Sequence, residues 1–265
     1  MPPKPKSNAG GTVDINLNDG IAVLTLNYPE RRNAISLEIR RLLADRLEEL
    51  MLDDSCRVIV ITGEGGNFSG GGDLSTMKKM TASQARKRVK AIHRSVRLIL
   101  EGSKPVIAAV EGWAVGAGAS IAAACDIVVA ARDSKFQLAF NRVNLVPDAA
   151  ALFTFPQRMG MGRAKMMMMT GDCIDAVQAE RGGLVDVIAE PNSALIEALA
   201  IAERVKGGGP LALELTKSIL ARMPMSLDQL ITLEGDVQAL LMTTEDFQEA
   251  VKSFFEKRPP KFTGS

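Results

Sequence analysis

Two short apolar runs, residues 57–62 (RVIVIT) and 105–110 (PVIAAV), each lead straight into a glycine-rich loop. This pairing constrains the fold more than any other feature of the chain. Runs of this length without polar alternation read as strands covered on both faces, the habit of parallel sheets. Residues 82–100, between the first loop and the second run, read as a helix with one basic face, and a further strand follows at 127–131. The order strand, loop, helix, strand, loop, helix, strand predicts a mostly parallel, right-handed α/β fold.

The flanks of this unit are also legible. Residues 12–27 alternate apolar and polar side chains around Asn18-Asp19-Gly20, which predicts an antiparallel hairpin. Ser36 can cap a helix whose apolar positions Ile39, Leu43, Leu47 and Leu50 recur at helical spacing before Asp53-Asp54-Ser55 stops it. Strand signals end at 184–189, and 191–206, 210–223, 226–242 and 244–255 read as successive helices around the break Gly207-Gly208-Gly209. The expected division is a loose tail at 1–11, an α/β core at 12–190 and a helical region at 191–265.

Composition narrows the function by exclusion. Lys and Arg number 32 against 31 Asp and Glu, so no bulk field attracts nucleic acid or a membrane surface, and an anionic ligand must be met locally. The three cysteines, Cys56, Cys125 and Cys173, are widely spaced and offer no zinc or redox pair. Residues 1–11 lack the apolar stretch of a secretory signal, and a cytoplasmic protein is expected. His93 is the single histidine and lies in a Lys/Arg-rich helical segment, which argues against a Ser-His-Asp hydrolase and for a solvated residue. No metal or redox cofactor is expected.

The loops themselves rank nucleotide hydrolysis and hydride transfer low. Gly116-Ala117-Gly118 is not a dinucleotide fingerprint, because Ile121 stands where the third glycine belongs, and neither loop carries a Gly-Lys-Ser/Thr cradle. What they do carry is Asn67-Phe68-Ser69-Gly70-Gly71-Gly72-Asp73-Leu74, and, from Pro105, a block with Gly112, Ala114, Gly116, Gly118, Cys125, Asp126 and Ile127. These resemble the F-x-x-G-x-D-L/I and P-V-I-A-A-V-x-G-x-A-x-G-G-G motifs of the crotonase (enoyl-CoA hydratase/isomerase) superfamily. With Arg32-Asn33-Ala34, the resemblance runs from about residue 13 to 262. It implies a spiral of repeated ββα units with a C-terminal helical trimerisation region, an acyl-CoA substrate whose coenzyme A is no separate cofactor, and a homotrimer or hexamer.

The resemblance also implies roles. The N–H groups of Gly72 and Ala117 would hold the oxygen of a thioester enolate, and one such donor is worth roughly 3 kcal/mol. Ala117 replaces the glycine usual there. The two glutamates of the family's hydratases correspond to Ser120 and Phe140, neither of which can exchange a proton in that role. The turn Leu145-Val146-Pro147-Asp148-Ala149 resembles that of relatives that shift double bonds, which makes Asp148 the candidate acid/base. Ala150-Ala151 replaces the Gly-Gly of those relatives. Arg32 and Leu74 would line the coenzyme A path, Lys257 would reach a phosphate from a neighbouring subunit, and Ser120 and Phe140 would border the substrate.

Alternatives stay open at this level. Asp148 could instead cap the helix that follows Pro147. The segment Met166 to Met169 could pack the core or touch an acyl chain. An isomerase using Asp148 leads, ahead of a hydratase or another enolate-forming lyase, and a thioester-binding protein without catalysis is the reading from a different class.

Overall fold

The computed structural model describes residues 10–77 and 79–265; the expected tail lies mostly outside them. Strands β1 (Thr12–Asn18) and β2 (Ile21–Asn27) form the antiparallel hairpin, closed by Asp19 and Gly20 with φ of 46° and 79°. Two successive left-handed residues are what a two-residue hairpin turn requires. Helix α1 (Leu37–Leu52) starts where Ser36 Oγ accepts the Ile39 N–H at 3.0 Å, and it buries Ile39, Leu43, Leu47 and Leu50.

Then come β3 (Val58–Gly63), α2 (Ala82–Glu101), β4 (Val106–Val110), β5 (Trp113–Val115), α3 (Ala117–Ala124), β6 (Ile127–Ala131) and β7 (Lys135–Gln137). Helix α4 (Ala151–Thr170), β8 (Cys173–Asp175), α5 (Ala176–Gly182) and β9 (Val187–Ala189) complete the α/β part, before α6 (Ala194–Lys206), α7 (Pro210–Leu220), α8 (Leu227–Leu241) and α9 (Glu245–Glu256). The main sheet has the order β1-β2-β3-β4-β6-β9, parallel except for the hairpin, and β5-β7-β8 form a second, small sheet.

Because side chains alternate along a strand, the main sheet buries both faces. Ile59, Ile61, Ala108 and Val128 join Ile39, Leu43, Ile92 and Ile121 on one side. Val58, Val60, Ile107, Ala109 and Val129 meet Ala194, Ala198 and Ala202 of α6 on the other. The alanines at four-residue spacing let α6 approach the strands closely. By packing, α6 therefore belongs with the sheet, although the sequence groups it with the later helices. Of the later helices, α7 is tied to the core by its buried Lys217, whose Nζ donates to Lys104 O and to Asp126 Oδ2, both at 2.7 Å. The later helices leave Leu227, Ile231, Leu240, Phe254 and Phe255 exposed in the single chain. No described helix is long and apolar enough to cross a membrane.

Candidate active site

The first glycine-rich loop is clamped from both sides. Asn33, fully buried with φ of 53°, accepts the Tyr28 N–H at 2.9 Å and donates from Nδ2 to Glu64 O at 2.8 Å and Asn67 O at 2.7 Å. Ser69 Oγ donates to Asn33 O at 2.7 Å, while Gly70 N–H reaches Arg32 O and Gly71 O accepts the Ile35 N–H. On the other side, Ser69 exchanges backbone hydrogen bonds with Trp113 and Val115 of β5. Gly71 has φ of 88°, and a Cβ there would stand 2.5 Å from Val115 O, so only glycine fits. At Gly118 a Cβ would come within 2.6 Å of Ser69 Cβ, which shows how closely α3 seats on the loop.

These contacts bring two backbone donors to one cavity of about 160 Å³, whose lining includes Gly72, Ala117, Leu74, Phe140, Arg40 and Asp148. The N–H groups of Gly72 and Ala117 have no acceptor among the described residues. Ala117 is the first residue of α3, where the helix end carries a partial positive charge. An oxygen that gains negative charge between them would be stabilised by dipoles already in place.

Asp148 is the only carboxylate among the described residues lining this cavity. It is half-buried, and its Oδ1 is buried without a hydrogen-bond partner. Burial pushes its pKa above the ordinary aspartate value, and the charges of Arg40 and His93 draw it partly back. The helix-capping alternative does not describe this side chain. Helix α4 starts three residues later with Ala150 as its N-cap, and only the backbone carbonyl of Asp148 takes part, accepting the Ala151 N–H. Ala149 and Ala150 stand in the left-handed region, with φ of 51° and 62°, which costs roughly 1–2 kcal/mol per residue.

Two free donors and one orphaned carboxyl oxygen thus share a common cavity in a fold of this topology, and the comparisons with known proteins place the chain in a family. The sequence profile of the family described as "Enoyl-CoA hydratase/isomerase" matches residues 16–265. The chain belongs to this family. It is 34% identical to a 1,2-epoxyphenylacetyl-CoA isomerase of Escherichia coli over 250 residues, 92% of this chain and 95% of that one. It is 33% identical to a crotonyl-CoA hydratase of Syntrophomonas wolfei over 244 residues, 91% and 94% of the two chains. The crystal structure of an enoyl-CoA hydratase from Polaromonas sp. JS666 superposes with a TM-score of 0.92 at 31% identity, covering 95% of this chain and all of the other.

As an acyl-CoA enzyme of this family, the chain distributes its expected site residues unevenly. Gly72, Ala117, Leu74, Phe140 and Asp148 share the cavity. Arg32 lines an open groove of about 490 Å³ that shares Gly70, Gly72, Leu74 and Val115 with it. Ser120 is fully buried and donates to Gly116 O at 3.0 Å, outside both spaces. Lys257 ends α9 and lines neither. His93 is exposed on α2, yet its charge reaches Asp148. Met167 packs in the core while Met166 and Met169 are exposed. Sequence reasoning missed Arg40, Met77 and Arg142 in the lining. Arg40 stands between Ile39 and Leu43 on the face of α1 that turns inward, the one available signal that it is buried.

Proposed function

We propose that this protein is an enoyl-CoA isomerase that moves a double bond through an enolate, with Asp148 as its acid and base. The observation that carries this reading is the unpartnered Oδ1 of Asp148 in a cavity shared with two free backbone donors and, among the described residues, no other carboxylate. Hydration requires two managed proton transfers, whereas migration can run on one group that takes a proton and returns it.

The thioester oxygen would rest between the N–H groups of Gly72 and Ala117, with coenzyme A leaving along the groove at Arg32 and Leu74. Ionised Asp148 takes the proton from C2 of a 3-enoyl thioester. The C2–H electron pair becomes a C1–C2 π bond as the carbonyl pair moves onto the oxygen, giving a dienolate whose charge is shared by the oxygen, C2 and C4. Protonated Asp148 then delivers the proton to C4, giving the 2-enoyl thioester without water entering the balance. When the proton returns, the old C3–C4 pair forms the C4–H bond, the C1–C2 pair becomes the C2–C3 π bond and the carbonyl re-forms. Burial supports both halves, because a carboxyl with a raised pKa is a stronger base when ionised and holds the proton long enough to return it.

Turnover of a 3-enoyl-CoA by wild type and Asp148→Asn tests the assignment. A loss of about a hundredfold or more is expected from removing a general base. Activity within about threefold of wild type would refute the role of Asp148.

A further inference from the structure

The charge balance of the cavity remains unexplained by the isomerase reading. Arg40 is only 2% exposed, yet it forms no ion pair among the described residues. Its Nε donates to Ile35 O and its Nη1 to Arg88 O, both neutral acceptors at 3.2 Å. Burial lowers its pKa, as expected for a cation removed from water without a direct counter-ion. Its Nη2 has no acceptor among the described residues and lies against Gly72, 3.9 Å from where a Cβ on that glycine would stand. Arg142 lines the same cavity. Its guanidinium is tied elsewhere, Nη2 donating to Gly171 O at 3.0 Å, so among the described residues of the lining Asp148, whose own pKa is raised, is the one carboxyl that acts on Arg40.

A buried, anchored and incompletely paired guanidinium is costly to keep, and where no protein carboxylate bonds it directly a ligand anion can compensate it. The phosphates of coenzyme A would not supply it in the pose proposed above, which seats the thioester end in this cavity and runs the nucleotide out along the groove at Arg31 and Arg32. The cavity is also small. Its volume of about 160 Å³ falls below the roughly 300–1,000 Å³ of a pocket for drug-sized ligands, which favours a short acyl group.

Resting on the acyl-CoA reading, we propose that the preferred acyl group is short and carries a second, terminal carboxylate, which Arg40 binds through Nη2. Arg40 is then a specificity determinant rather than a catalytic residue. Its fixed fork suits a carboxylate better than an uncharged alkyl end.

Saturated thioesters separate recognition from turnover. Calorimetry of wild type with glutaryl-CoA and pentanoyl-CoA, which differ chiefly in the terminal carboxylate, should show glutaryl-CoA binding at least tenfold more tightly. Arg40→Gln, checked by thermal melting, should reduce that preference to within about twofold, and Arg142→Gln should keep most of it. Equal binding of the two thioesters by wild type overturns this proposal and leaves the isomerase reading standing. Binding of neither at millimolar concentration overturns both. A preference that survives Arg40→Gln overturns the assignment to Arg40. Should Arg40→Gln not fold, Arg40→Lys, which retains the charge but loses the fork, is expected to lower the preference at least threefold, and an unchanged preference overturns the assignment.

Discussion

Asp148 and Arg40 face the same cavity without sharing a hydrogen bond: Oδ1 of Asp148 has no partner, while the guanidinium spends its Nε and Nη1 on the carbonyls of Ile35 and Arg88. The interaction between them is through space, and it opposes the desolvation of both groups. Burial still dominates at Asp148, so its carboxyl stays above the ordinary range.

That balance fixes a pH dependence. Asp148 must be ionised to take the C2 proton, so kcat/KM rises as pH passes through its raised pKa, above the roughly 3.9 of a free aspartate. Arg40 and His93 both lower that pKa, hence Arg40→Gln is expected to move the acid limb of the profile to higher pH. A limb that stays in place would show that Arg40 does not act on Asp148.

The same shift sets a stability difference with the opposite sign. A carboxyl whose pKa is raised on folding binds its proton more tightly in the folded state, so wild type loses stability as pH rises from the unfolded value through the folded one. Asp148→Asn escapes this loss. Its Tm should exceed that of wild type at pH 7–8, with the gap closing below about pH 4. Thermal melts across pH measure it; a gap that is constant or reversed contradicts the desolvated carboxyl.

Gly71→Ala should damage the donor loop selectively. The new Cβ would meet Val115 O at 2.5 Å in a backbone with φ of 88°. The expected cost is about 1–3 kcal/mol in stability, together with a loss of turnover about tenfold or greater, since one donor contributes about a hundredfold or more. Wild-type turnover in a folded Gly71→Ala protein would mean that the loop does not hold the oxygen.

The exposed apolar residues of α8 and α9, among them Leu227, Ile231 and Phe254, support assembly through these helices. Light scattering is expected to give a homotrimer or hexamer, in which Lys257 reaches coenzyme A bound by a neighbouring subunit. A stable monomer at micromolar concentration would remove that role.

Much of this was legible in the sequence, and the exceptions have physical causes. The hairpin at Asp19-Gly20, the cap at Ser36 and the buried runs that became β3, β4 and β6 each have a local signal. The strands β5, β7 and β8 are three residues long, too short for periodicity to mark, although they hold the second loop in place. Asp148 was found through its motif, but its orphaned oxygen and the left-handed Ala149 and Ala150 depend on tertiary packing. Arg40 was missed because composition rules place arginine outside, and only the packing of α1 against α2 shows that its guanidinium is enclosed beside the cavity. Alanines 194, 198 and 202 carried a readable small-residue stripe whose partner, the far face of the sheet, emerged only with the fold.

On the proposed mechanism one carboxyl moves a proton along the acyl chain and does not add water. Wild-type enzyme followed with 3-pentenoyl-CoA and crotonyl-CoA side by side, with double-bond migration read in one and hydration in the other, decides this. Migration is expected to be at least about a hundredfold faster than hydration, the contribution of the missing second acid/base group. Hydration as fast as migration would contradict this mechanism, because it would require a second proton-transfer group in the cavity beside Asp148.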